Sequence, residues 1–198
     1  YRGKRVGALG DVGVFSFQSS KLMTAGEGGV ALTNNRELYE KMWSIMHAGR
    51  DPMGRWYDHV RVGLNLRMLE FQAAVLLPQL WGLEDMLRKL RESAKIIYEE
   101  LEKTEPIHLH KYPSHIASNY YFIPVSIEDK YLEKLSKEKI VSKMREKGFW
   151  IVEGYQKPLN KQPAFAEKKW RLPHEEYMKQ SLPNTEKACR ATMWIPHP

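Results

Sequence analysis

Cysteine is almost missing. Cys189 stands alone among 198 residues, so neither a disulfide framework nor a multi-cysteine zinc site can be built, and a reducing compartment, the cytoplasm, is the expected home. Long apolar runs are missing as well. None approaches the ~20 residues of a membrane span, and Tyr1-Arg2-Gly3-Lys4-Arg5 has no apolar signal core, so no membrane partner is expected. There is no internal repeat, no low-complexity tract and no GxxxxGK[ST] loop that would support a nucleotide hydrolase. The first residue is not Met, which reads as a processed chain or a fragment.

What is present suits a globular protein: 42% of residues are hydrophobic and 28% charged, enough to bury a core without staples. Lysine and arginine number 31 against 24 acids, a net charge of +7 that attracts anions. The excess is spread along helices and reads as solvated faces. It thickens modestly over residues 157–171, where Phe165 and Trp170 are interleaved. That stretch supports an alternative reading, a basic module for nucleic acid or an anionic polymer.

Residues 12–17 and 29–33 are short, apolar and β-prone, so two strands bracket a polar loop rich in serine and glycine. Asn34-Asn35 can cap a helix in which Leu38, Met42, Ile45 and Met46 recur, with Gly49 ending the pattern. The strongest periodicity covers 69–103: Leu83, Leu87, Leu90, Ala94, Ile97 and Leu101 line one face of a long helix, and Pro78 and Gly82 predict a kink or a division in its first part. Beyond Pro106, residues 119–127 read as a strand, 136–147 as a helix closed by Gly148, and 149–152 as another strand. This β-α-β pattern predicts a second α/β layer. Residues 160–182 lack a period, as functional lids or disordered segments do. The fold class is α/β, with a division into 1–105 and 106–198.

Between the first two strands Lys21 is set among Ser16, Ser19, Ser20, Gly26, Gly28 and Gly29. An ammonium there is costly to desolvate unless it is paired with an anion or converted to an imine, and hydroxyls with glycine amides cradle phosphate. A phosphate-bearing aldehyde meets both needs; a solvated loop lysine is the other reading that the composition supports. His108 and His110 would share a strand face, but no third metal ligand is evident, and no metal is assigned. Cys189 reads as a buried structural thiol.

The run Ser16-Phe17, Lys21 and Gly26-Glu27-Gly28-Gly29 resembles the SF…K…GEGG segment of the DegT/DnrJ/EryC1/StrS family of aminotransferases. A second stretch, Gly63-Leu64-Asn65-Leu66-Arg67-Met68 followed by Gln72-Ala73-Ala74 and Gln79-Leu80, resembles that family's GxNxRM…QAA…QL segment. Tyr155, Pro158-Leu159 and Gln162-Pro163 resemble a substrate-side loop, and Trp194-Ile195-Pro196-His197 the family's tail. The resemblance implies part of the large domain and the small α/β domain of a fold type I transferase using pyridoxal 5'-phosphate. It implies that Lys21 carries the cofactor covalently and moves the catalytic proton, and that Ser16, Gln18 and, from a neighbouring subunit, Asn65 contact the cofactor. Tyr155 and Gln162 would lie near the substrate.

The implied reaction moves an amino group from glutamine or glutamate to a keto-sugar or keto-cyclitol, within a homodimer that shares its active site. Gln18 and Asn160 stand where many relatives acting on sugar nucleotides have histidine, which points instead to the aminocyclitol or aminohydroxybenzoate branch. A sugar dehydratase is the other alternative within the family, although the dehydratases replace this lysine with histidine. The acid for the cofactor's ring nitrogen belongs upstream of Tyr1 in such enzymes. An upstream half, covalent or separate, is therefore an expected partner.

Overall fold

Two short apolar stretches that alternate against a polar loop can satisfy their backbone only by pairing. They do so here: β1 (Gly13–Ser16) and β2 (Gly29–Leu32) form a two-stranded antiparallel sheet, with Ser16 opposite Gly29. The computed structural model describes residues 1–166 and 180–196. These fall into two units, Tyr1–Leu87 with Pro113–Ala117, and Arg88–Tyr112 with Ser118–Pro198.

The first unit continues with α1 (Arg36–Met46), whose N-terminus is capped by Asn35; its side chain accepts the Leu38 N–H at 3.1 Å. The periodic stretch beyond it forms two helices, α2 (Glu70–Trp81) and α3 (Leu83–Leu101), divided at Gly82. Pro78 does not share in the interruption. It lies inside α2, where a proline removes one helix hydrogen bond without ending the helix, and Gly82 still donates to the Pro78 carbonyl at 3.1 Å. The boundary between the units falls within α3, after Leu87.

In the second unit β3 (Ile107–Leu109), β4 (Phe122–Ile127) and β5 (Thr192–Pro196) make an antiparallel sheet in the order β3-β4-β5. Strand β4 alternates strictly: Ile123, Val125 and Ile127 point inward and join Leu109, Met193, Ala94 of α3 and Val141 of α4 (Lys137–Glu146) in one core. Ile97 and Leu101, the next members of the α3 stripe, pack against it. Ser136 caps α4 by accepting the Lys139 N–H at 3.2 Å. A short α5 (Pro163–Ala166) and α6 (Pro183–Ala191) complete the elements described.

Two expectations need correction. The strand predicted over 149–152 is a single bridge: only Val152 pairs, exchanging both backbone hydrogen bonds with Trp194 of β5 at 2.9 and 2.8 Å. Phe149 and Trp150 are exposed. The reason is that β5, from the far end of the chain, takes the place beside β4 and pairs antiparallel with both neighbours. The segment after α4 therefore runs parallel to β4 with one strand inserted between them, a split β-α-β arrangement whose last strand is reduced to an edge contact. The lysines of α4 are also not all solvated, because Lys137 is 2% exposed. Part of the aperiodic stretch after Asn160 is regular, with a 3-10 turn at Leu159–Lys161 before α5, while 167–179, including Trp170 and Arg171 of the basic stretch, lie outside the described residues. No helix among the described residues is long and apolar enough to cross a membrane.

Candidate active site

The β1–β2 connection is held in shape by its own side chains. The Ser16 hydroxyl accepts the Gln18 N–H at 3.2 Å, and the Gln18 carboxamide folds back on the loop, donating to Ser19 Oγ at 2.7 Å and accepting from the Ser20 N–H and hydroxyl at 2.9 and 2.7 Å. The Lys21 N–H closes a turn onto the Gln18 carbonyl at 2.9 Å, which sets the half-buried lysine at the end of a serine-lined bend. Downstream, the Phe17 carbonyl accepts from Ala25 N–H and the Thr24 hydroxyl, and the Phe17 N–H donates to Gly28. Gly26 and Gly28 take φ of 79° and 133°, a backbone that side-chain-bearing residues rarely adopt.

Two glutamines of α2 clamp this loop from outside, a role that residue chemistry alone did not single out. Gln79 Oε1 accepts the Thr24 N–H at 2.9 Å while its Nε2 donates to the Thr24 carbonyl at 2.8 Å, so one carboxamide pairs with both backbone groups of one residue as a neighbouring strand would. Two turns earlier Gln72 donates to the Glu27 carbonyl at 2.9 Å and accepts the Leu69 N–H at 3.0 Å, capping the start of α2. The sequence signal was the seven-residue spacing of these glutamines on an otherwise apolar helix.

Asn65 lies in the same unit on a different segment. Its backbone forms an antiparallel bridge with His47, and neighbours Leu64 and Leu66 donate to the Ile45 and Met46 carbonyls at 2.8 and 3.0 Å. Asn65 is thus an exposed bridge residue, and the turn into α2 comes later. The intervening excursion, on which the sequence reading is silent, pairs Arg50 with His59 and stacks the Arg50 guanidinium 4.5 Å from the Trp56 ring centre.

Tyr155 and Gln162 belong to the second unit. Tyr155 sets its ring edge-on to Trp194 at 4.9 Å, and the half-buried Gln162 accepts the Phe165 N–H at 2.9 Å at the start of α5. A groove of about 680 Å³ in that unit contains none of the predicted site residues; His108 lines it, and its lysines pair internally, Lys187 with Asp129 at 2.6 Å and Lys130 with Glu128 at 3.2 Å. Among the described residues no cluster of three or more His, Cys, Asp or Glu could hold a metal ion, and Cys189 is buried as a free thiol.

A model of the DegT/DnrJ/EryC1/StrS aminotransferase family matches residues 1–198. The chain belongs to that family. It is 34% identical over 175 residues to the UDP-2-acetamido-2-deoxy-3-oxo-D-glucuronate aminotransferase of Pseudomonas aeruginosa, a match covering 87% of this chain and 45% of that protein. Over 106 residues, 49% of this chain and 25% of the relative, it is 40% identical to the L-glutamine:2-deoxy-scyllo-inosose aminotransferase of Streptoalloteichus tenebrarius. The crystal structure of 3-amino-5-hydroxybenzoic acid synthase superposes with a TM-score of 0.84 at 28% identity, over 100% of this chain and 51% of that one. The chain therefore spans about half the length of the relatives it matches.

The family is one of pyridoxal phosphate enzymes, and the residues here fit that group. The same loop offers a primary amine on Lys21 and the exposed Ser16 hydroxyl, on a backbone bent at glycines, which is the donor set a phosphorylated aldehyde requires.

Proposed function

We propose that the protein is a pyridoxal phosphate-dependent aminotransferase that moves an amino group from glutamine or glutamate to a keto-sugar or keto-cyclitol. The observation that carries this is the Lys21 loop, a lysine among serines and glycines in a loop that Gln72 and Gln79 hold at Glu27 and Thr24, in a chain that belongs to an aminotransferase family along its length. When bound, the cofactor supplies an electron sink for the carbanion formed at the donor's Cα. The Lys21 amine holds the aldehyde end and, once released, accepts and returns the proton at its Nζ. Ser16 and Gln18 contribute to the cofactor site, the Ser16 hydroxyl on the phosphate side. Asn65 reaches the phosphate from a second copy of the chain, while Tyr155 and Gln162 contact the acceptor.

The cyclitol or aminohydroxybenzoate branch is supported by Gln18 and Asn160 and by the names of two relatives, and glutamine as donor by the name of the Streptoalloteichus tenebrarius relative. The exposed apolar side chains of Leu66, Phe71, Leu80 and Trp81 support a homodimer. Turnover would need the half of the relatives' length that this chain does not cover, as part of the same polypeptide or as a second one. A cytoplasmic site of action accords with the single buried thiol.

The test is borohydride reduction of the full-length protein with pyridoxal phosphate, followed by peptide mapping. A cofactor adduct on Lys21 is expected; an adduct on another lysine, or on none, overturns the assignment.

A further inference from the structure

Lys137 opens α4 and is 2% exposed, yet it carries an ammonium. Moving such a group out of water costs several kcal/mol unless hydrogen bonds replace its hydration. Among the described residues its hydrogen bonds go to two backbone carbonyls, Tyr155 at 3.1 Å and Cys189 at 2.5 Å, and no ion pair to a carboxylate joins them. The Cys189 carbonyl is a favourable partner, since it lies in the last turn of α6 where unsatisfied carbonyls and the negative end of the helix dipole meet. The start of α4 is an unfavourable place for the same charge. A methionine would fill the space without either penalty. What lysine adds is the hold on two segments 18 and 52 residues away in sequence.

The backbone it holds is restrained from other sides too. Val152 exchanges both hydrogen bonds with Trp194, and Gly154, at φ 69°, packs so closely that a Cβ would stand 2.8 Å from the Thr192 carbonyl oxygen. The side chain at the end of these restraints is nevertheless 73% exposed. A tyrosine kept for core packing would be buried. One whose backbone is fixed while its ring stands in solvent presents a flat face and a hydroxyl in a set direction.

We propose that Lys137 is a positioning residue: its buried ammonium fixes the Tyr155 backbone so that the tyrosine ring meets a polyhydroxylated cyclic acceptor. This rests on the reading of Tyr155 as an acceptor contact.

The test uses full-length holoenzyme with Lys137→Met, which removes both bonds, and Lys137→Gln, which keeps a neutral donor. Hydrogen exchange of the Val152 and Trp194 amides, whose mutual bonds tie the held segment to β5, should quicken ~10-fold in Lys137→Met and less in Lys137→Gln, as loss of a bond to a charged group requires, while Ile123 and Val125 amides hold their rates. The acceptor KM should rise in both variants with Lys21 loading unchanged, and adding Lys137→Gln to Tyr155→Ala should raise KM no further. Should Lys137→Met fail to fold, Lys137→Gln carries the comparison. Unchanged exchange at Val152 and Trp194, acceleration spread evenly over the second unit, or additive KM effects would overturn the proposal. If exchange quickens but neither variant nor Tyr155→Ala moves the acceptor KM, Tyr155 is no acceptor contact; the proposal then falls with that reading, while the Lys21 assignment stands on its own adduct.

Discussion

Replacing Gln79 by methionine should release the lysine loop from α2. The carboxamide makes two hydrogen bonds to the Thr24 backbone, N–H and carbonyl, at 2.9 and 2.8 Å across 55 residues, in a partly buried setting. A typical bond of this kind contributes about 1 kcal/mol net, so the loss is ~2 kcal/mol, since methionine fills the volume but leaves both Thr24 groups without their partner. Read locally, that corresponds to ~30-fold faster exchange of the Thr24 amide. Gln79→Glu makes the test sharper. Its carboxylate still accepts from the Thr24 N–H but faces the Thr24 carbonyl with a second oxygen, so at neutral pH it should be no better than methionine. A protonated carboxyl has the donor and acceptor of the amide, so the folded state favours the protonated form. The recovered stability is therefore present below the ordinary glutamate range of ~4.3 and is lost as pH rises. The assay is amide exchange at Thr24 with urea denaturation from pH 4 to 7. Wild-type exchange in Gln79→Met, or a Gln79→Glu protein that matches glutamine at every pH, would refute the reasoning.

Burial, reinforced by neighbouring Tyr112 and Tyr120, pushes the Tyr98 phenol up to about 12 from the usual 10.0. Stability that depends on keeping it protonated is complete below pH 10 and should be lost as pH rises towards 12; absorbance titration should show a late tyrosine that Tyr98→Phe abolishes. Gly154→Ala should cost about 2 kcal/mol in urea unfolding, because the new Cβ meets backbone at a positive φ, and an unchanged midpoint would contradict the close approach described. Asn65→Ala should weaken cofactor binding about tenfold and leave stability unchanged, since the side chain is exposed; undiminished affinity would remove Asn65 from the site. Sedimentation of the full-length protein should show a dimer, and a monomer that binds cofactor tightly would count against a shared site.

Much of the local structure was legible because short-range physics decides it. Asn35 and Ser136 cap helices because a side-chain oxygen two or three residues upstream can reach an orphan N–H. Leu87 and Leu90 are buried, and Ala94, Ile97 and Leu101 join the core of the second unit, because helical spacing puts those residues on one face whatever they meet. Residue chemistry raised Lys21 as a candidate beside the reading of a solvated loop lysine, and it was the surrounding motif that pointed to the family the whole-chain match shows. Tertiary structure alone decided the rest. Lys137 looks like any solvated lysine until α6 and the Tyr155 segment close over it. Gln72 and Gln79 belong to the second motif, but what they hold is not readable until the loop 45 and 55 residues away arrives at their face. Val152 seemed the end of a strand, yet its pairing belonged to Trp194, 42 positions on, and no local pattern reports a partner that distant. Hydrogen bonds between remote segments depend on how the whole chain closes, whereas caps, strands and helix faces depend on neighbours within a turn or two.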